Sequence, residues 1–192
     1  KSYDDVLGIT YRKNGEIVRT PDRPYIEDLD SLPFPARHLW PMEKFKDYED
    51  VLYLIMSRGC VYWCEFCCTV RMHGRKFRMR SPKNVVDEIV ELQKKYDFDE
   101  IYFDDDNMTS NEENLIGICK ETIARGIKVR WLCMGDAMIK NETLEYLAKA
   151  GCVTYKFGVE HFDPEVLKFI PKPVKPERVK EIVSICKKLG MK

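Results

Sequence analysis

Ser57-Arg58-Gly59-Cys60-Val61-Tyr62-Trp63-Cys64-Glu65-Phe66-Cys67 is the stretch from which the rest of the chain can be read. The run ahead of it, Val51-Leu52-Tyr53-Leu54-Ile55-Met56, is short and apolar throughout, the pattern of a strand buried on both faces. The chain leaves that strand through a glycine and presents three thiols spaced C-x3-C-x2-C. Iron–sulfide cores demand soft anionic donors, which thiolates supply. Clusters that only pass electrons take four cysteines. Three on one short loop can hold three irons of a cubane and leave the fourth open to a ligand. A zinc knuckle wants a second Cys or His pair at suitable distance, and none follows.

Downstream of the loop, strand and helix signals alternate. A basic run, Arg71 to Arg80, reads mostly as a solvated face. Ser81 as N-cap and Pro82 in the first turn open a helix whose apolar face is Val85, Val86, Ile89, Val90 and Leu92. A strand, Glu100 to Asp104, ends in Asp105-Asp106-Asn107. A capping box, Ser110 with Glu113, starts the next helix, which stops at Gly126. Strands follow at Val129–Cys133 and Val153–Gly158, with a helix from Asn141 to Gly151 between them. Short and long helices begin at Pro164 and Pro176, and Met191-Lys192 opens a fifth strand. Such alternation predicts an α/β fold with parallel strands joined by crossovers. In a parallel barrel, functional groups gather where strands end. The thiol loop, Asp104 to Asn107, Gly135-Asp136 and Glu160 all sit there.

Upstream, Asn14-Gly15 between Val6–Tyr11 and Glu16–Arg19 predicts a β-hairpin. Pro21 to Pro41 is a proline-punctuated connector, neither helix nor sheet. In bulk, 44% hydrophobic and 33% charged residues over 192 positions describe a globular chain with a core. A formal net charge of zero offers nothing global for nucleic acid or an anionic membrane. No apolar run approaches a membrane span, and no signal-peptide pattern opens the sequence. Cys119, Cys133, Cys152 and Cys186 stand singly in apolar segments and read as reduced core residues of a cytoplasmic protein. Cys68 reads as a buried neighbour of the loop. The missing initiator Met and the opening in mid-pattern suggest a piece of something longer.

Cys60, Cys64 and Cys67, with Phe66 before the last, resemble the cluster loop of the radical S-adenosylmethionine (SAM) enzymes. Leu29-Asp30-Ser31-Leu32-Pro33-Phe34-Pro35-Ala36 is similar to the segment joining an N-terminal cobalamin-binding domain to the barrel in the cobalamin-linked subfamily. Arg78-Met79-Arg80-Ser81-Pro82 resembles that subfamily's entry to its first helix. The resemblance implies a partial parallel (β/α) barrel, truncated here after about four β/α units and preceded by the hairpin and Pro-rich linker. Residues 1–45 would then be the tail of an upstream domain, and residues 46–192 the N-terminal part of the radical SAM core. It also implies a [4Fe–4S] cluster on Cys60, Cys64 and Cys67, and S-adenosyl-L-methionine on the open iron. Phe66 would lie against adenine, Asp105 and Asp106 would bind the methionyl ammonium, and Glu160 would lie near the ribose or carboxylate. The implied activity is reductive cleavage of SAM to a 5′-deoxyadenosyl radical that abstracts hydrogen, with methylation or rearrangement to follow.

A carboxylate suits an ammonium through a charge-assisted hydrogen bond. Three consecutive aspartates also suit helix capping or metal coordination. The partners implied are a small-molecule substrate and a reductant such as flavodoxin or ferredoxin. Cobalamin belongs to the full-length expectation alone, because the Asp-x-His-x-x-Gly motif of its domains is absent from this chain. Two alternatives remain open at the level of sequence: a tRNA methylthiotransferase-like enzyme whose basic loop contacts phosphates, and a non-catalytic iron–sulfur electron carrier.

Overall fold

The structure is a computed structural model describing residues 2–41, 44, 51–170, 172 and 174–192. The expected domain boundary at 45/46 lies outside those residues. Asn14 and Gly15 both take positive φ, 51° and 89°, as the tightest hairpin turns require. They join β1 (Thr10–Lys13) to β2 (Glu16–Arg19) in antiparallel register. Val6 and Leu7, expected in the first strand, lie before it.

A four-stranded parallel sheet carries the fold, ordered β3 (Val51–Leu54), β6 (Glu100–Phe103), β7 (Arg130–Gly135) and β8 (Cys152–Phe157). Between β3 and β6 come β4 (Ser57–Arg58), α1 (Thr69–His73), β5 (Arg78–Met79) and α2 (Pro82–Lys95). Then follow α3 (Glu112–Ala124), α4 (Asn141–Lys149), α5 (Pro164–Leu167) and α6 (Pro176–Lys188). Lys192 exchanges backbone hydrogen bonds with Val153 and Tyr155 of β8, 2.9 and 3.0 Å. The ladder therefore continues where a fifth strand was expected.

Register explains which side chains are buried. Leu54, Phe103, Cys133 and Tyr155 are Cα partners across the four strands, and all are buried. The neighbouring row, Tyr53, Tyr102, Leu132 and Thr154, points to the opposite, half-open face because successive strand residues alternate. Val85, Val86, Ile89 and Leu92 of α2 and Leu115 and Ile118 of α3 join the buried row in one core. Cys119, Cys133, Cys152 and Cys186 are buried free thiols, as expected. Ser81 accepts from Asn84 N at 3.2 Å as the N-cap of α2. The cap of α3 is Asn111, which accepts from Asn114 N at 3.1 Å. The expected Ser110 is consumed by a 3-10 turn over Met108–Asn111, which shifts the helix start by one residue.

The connector is tied to the barrel by charge. Asp30 accepts from Ser81 N at 2.8 Å. Glu88, 1% exposed on α2, meets Arg37 Nη1 at 2.6 Å and Arg80 Nη1 at 2.5 Å. A buried carboxylate needs such compensation, because desolvation otherwise costs several kcal/mol. Arg37 also donates to Tyr53 O at 2.9 Å. Among the described residues no helix is long and apolar enough to cross a membrane.

Candidate active site

The thiol loop is closed at its base by a feature with no sequence signature. Ser57 and Arg58 of β4 pair antiparallel with Met79 and Arg78 of β5. Gly59 then turns at φ 91°, and a Cβ there would stand 2.7 Å from Lys76 O and 3.0 Å from Gly74 O. Only glycine fits both that angle and that approach. Arg78 is 7% exposed and donates to Lys76 O, Ile26 O and His73 O while stacking on Tyr25. With Arg80, which pairs with the buried Glu88, it departs from the solvated reading of the basic run; Arg71, Arg75 and Lys76 are exposed.

Two consecutive carboxylates after β6 hold the loop's beginning and the helix that follows it. Asp105, 2% exposed, accepts from Met56 N at 3.1 Å, from Ser57 N at 2.5 Å and from Ser57 Oγ. Burial pushes its carboxyl up to about 6, against the opposing pull of those donors. Asp106 accepts from Gly59 N at 3.2 Å and Thr69 Oγ1 at 3.2 Å, and pairs with His73 Nδ1 at 2.7 Å. Both carboxylates are thus engaged by groups of the loop and its flanks. Asp104 alone of the three is exposed, on the half-open face.

Cys60 and Cys64 are half-buried, while Cys67 and Phe66 are exposed. Cys67 N donates to Cys64 O at 3.0 Å, so a tight turn brings those two residues together. Burial raises the Cys64 thiol, with Lys172 opposing and Cys60, Glu160 and Cys67 adding to the rise. Cys60, Cys67 and the Glu160–Lys172 pair therefore all lie within electrostatic reach of Cys64. Glu160 sits at φ 62° and bonds Lys172 Nζ at 2.8 Å. Cys68, expected as a buried neighbour, is exposed, because it begins α1 with its side chain outward.

From the rim after β7, Asp136 gathers a network that sequence reasoning did not assemble. Its carboxylate accepts from Asn107 Nδ2 at 3.2 Å, Thr109 Oγ1 at 3.0 Å, Tyr62 OH at 3.3 Å and Met138 N at 2.7 Å. Burial, then the neighbouring Asp136, pushes the Tyr62 hydroxyl up to about 12. Asn107 Nδ2 also stands 4.0 Å from Cys60 Sγ. Gly135-Asp136 at a strand end was the signal for this corner; its partners are distant in sequence.

Among the described residues no three His, Cys, Asp or Glu side chains converge tightly enough for one metal ion. A cubane asks for something else, one thiolate per iron, spread around the core. Three free soft donors on a loop pinned at its base fit that demand. On the half-open face, Tyr53 and Tyr102 meet edge-on at 5.5 Å, and Lys156 Nζ lies 4.6 Å over Tyr102.

Comparison with known proteins places these features. The family model described as the radical SAM superfamily matches residues 54–192. A methyltransferase of Pyrococcus horikoshii is 32% identical over 188 residues, covering 97% of this chain and 41% of the relative. The cytidylyl-2-hydroxyethylphosphonate methyltransferase of Streptomyces wedmorensis is 31% identical, covering 99% and 42%. The anaerobic magnesium-protoporphyrin IX monomethyl ester cyclase of Rubrivivax gelatinosus is 30% identical, covering 97% and 34%. The chain thus spans about two fifths or less of these relatives. Among solved structures, the methyltransferase TsrM from Kitasatospora setae superposes with a TM-score of 0.80 at 17% identity, over all of this chain and 40% of that one. The cobalamin-dependent SAM radical enzyme OxsB superposes at 0.82 and 22% identity, over all of this chain and 29% of that one. At those identities the likeness is one of fold.

Proposed function

The chain belongs to the radical SAM superfamily, and from that premise we propose that it is the cluster-bearing part of a SAM-cleaving enzyme whose full-length form methylates or cyclises a small molecule. The family's cofactors are a [4Fe–4S] cluster and S-adenosyl-L-methionine. When bound, the reduced cluster supplies the electron that cleaves SAM to methionine and a 5′-deoxyadenosyl radical, which abstracts hydrogen from substrate.

The chain's own residues hold and orient. Cys60, Cys64 and Cys67 would hold the cluster as its thiolate ligands and leave it open to SAM. Asp105 and Asp106 fix the height and tilt of the loop through Met56, Ser57, Gly59, Thr69 and His73. That revises their expected role, since their acceptor oxygens are engaged by the protein. Asp104, exposed on the open side of β6, is the carboxylate left for the SAM ammonium. Phe66 covers adenine from the loop tip, and Glu160 with Lys172 closes the side nearest Cys64. The substrate lies against the Tyr53, Tyr102, Leu132 and Lys156 face.

Residues 1–45 read as the tail of an upstream domain, for which cobalamin is the proposed ligand in the full-length protein. The names of the methyltransferase and cyclase relatives favour methyl transfer or ring closure over the tRNA and electron-carrier alternatives. Free thiols suit a reducing cytoplasm, and a flavodoxin or ferredoxin is the proposed reductant.

One observation carries this reading: three unbonded thiols project from a loop whose ends are fixed by carboxylates of the adjacent strand. After anaerobic reconstitution the wild type should hold about four irons per chain. Cys60→Ala, Cys64→Ala and Cys67→Ala should each lose the [4Fe–4S] absorbance. Iron content unchanged in all three variants would end the assignment.

A further inference from the structure

We propose that Asn107 is an electrostatic tuner of the cluster, its amide donating a hydrogen bond to the Cys60 thiolate and raising the midpoint potential. The inference rests on the cluster assignment above and goes beyond it, since Asn107 is not among the ligands.

Three observations carry it. First, Asn107 is 3% exposed and directly follows the two loop-holding aspartates. Second, its orientation is fixed by both ends of the amide. Thr109 N, a group that can only donate, reaches Asn107 Oδ1 at 3.3 Å. Asp136 Oδ2 stands 3.2 Å from Nδ2 on the other side. Flipping the amide would set donor against donor and acceptor against acceptor. Third, Nδ2 carries two protons, and Asp136 uses one. The other is left for Cys60 Sγ, 4.0 Å from the nitrogen.

The chemistry follows from charge. A thiolate on iron carries excess electron density, which increases when the cluster is reduced. A buried N–H aimed at that sulfur stabilises the reduced form more than the oxidised form, so it raises the potential. Asp136 keeps the donor aimed while leaving its own charge shared among Asn107, Thr109, Tyr62 and Met138. Asn107 is accordingly a positioning residue, acting through Cys60.

The test compares reconstituted wild type, Asn107→Ala and the isosteric Asn107→Asp by EPR of the reduced cluster at a series of poised potentials, with iron counted in each. Both variants should retain four irons and shift downward, Asn107→Asp further because it replaces a donor with an acceptor. A tenfold less favourable reduction corresponds to about 59 mV for one electron. Variants that keep their iron at the wild-type potential overturn the inference and leave the cluster assignment standing. Loss of iron from both variants also overturns it, showing that Asn107 holds the loop's fold instead. A wild type that takes up no cluster sinks the underlying assignment and this inference together.

Discussion

Asp105 shows how one residue's environment bears on its expected use. A carboxylate that contacts a ligand at a rim needs exposure, but this one is 2% exposed and faces backbone N–H groups. Burial raises its carboxyl from 3.8 to about 6. A group whose pKa is raised on folding stabilises the fold fully below its unfolded value. That contribution is lost as pH climbs through the folded value. The window is therefore about pH 4 to 6, and the stability lost across it is about 3 kcal/mol. Urea unfolding of the iron-free chain should show wild-type stability falling across that window relative to Asp105→Asn, which cannot ionise. A difference between the two proteins that stays flat from pH 4 to pH 7 would remove burial as the dominant influence on Asp105.

Among the elements, the two-residue pairs β4 and β5 matter most to the thiol loop, and they were the least legible. Two residues carry no hydrophobic period, and their pairing joins positions 57–58 to 78–79 across the whole loop. The long strands and helices were legible because Leu52, Leu54, Ile101, Phe103, Val85, Val86 and Ile89 repeat at the spacing their element requires. The three thiols were legible as a motif because they share one loop. Asp136 with Tyr62, or Asp106 with His73, were not, since their partners are 74 and 33 positions apart. Gly59 gives this scale its prediction. Its Cβ contacts would be backbone oxygens, Lys76 O at 2.7 Å and Gly74 O at 3.0 Å, and its φ is 91°. Both oxygens belong to the backbone just ahead of β5, not to flexible side-chain ends that could swing away. Gly59→Ala should cost roughly 1–3 kcal/mol and lower iron retention after reconstitution and desalting. Wild-type iron occupancy together with wild-type stability would show that the turn tolerates a side chain.

At the scale of the whole molecule, the hydrophobic core and the thiol loop are separate parts of the chain. The core runs from Leu52, Leu54 and Met56 through α2, α3 and α4 to Met191, and it takes no residue from 57 to 78. Hydrophobic burial, the main stabilising contribution to folding, therefore comes from residues outside the thiol loop. Inside the loop, order rests on Asp105, Asp106 and Arg78, with Val61, Trp63, Phe66 and Met72 exposed. Ligation of three thiolates would add the missing constraint, because a ligand that binds only the ordered loop stabilises that state by mass action. Stripping iron with a chelator should leave far-UV circular dichroism and a cooperative thermal transition nearly unchanged. Trypsin should then cut after Arg71, Arg75 or Lys76, all exposed, several-fold faster than in the iron-loaded protein. Collapse of the cooperative transition on iron removal would mean that the cluster organises the barrel itself, and equal cleavage rates with and without iron would mean that the carboxylate braces alone set the loop.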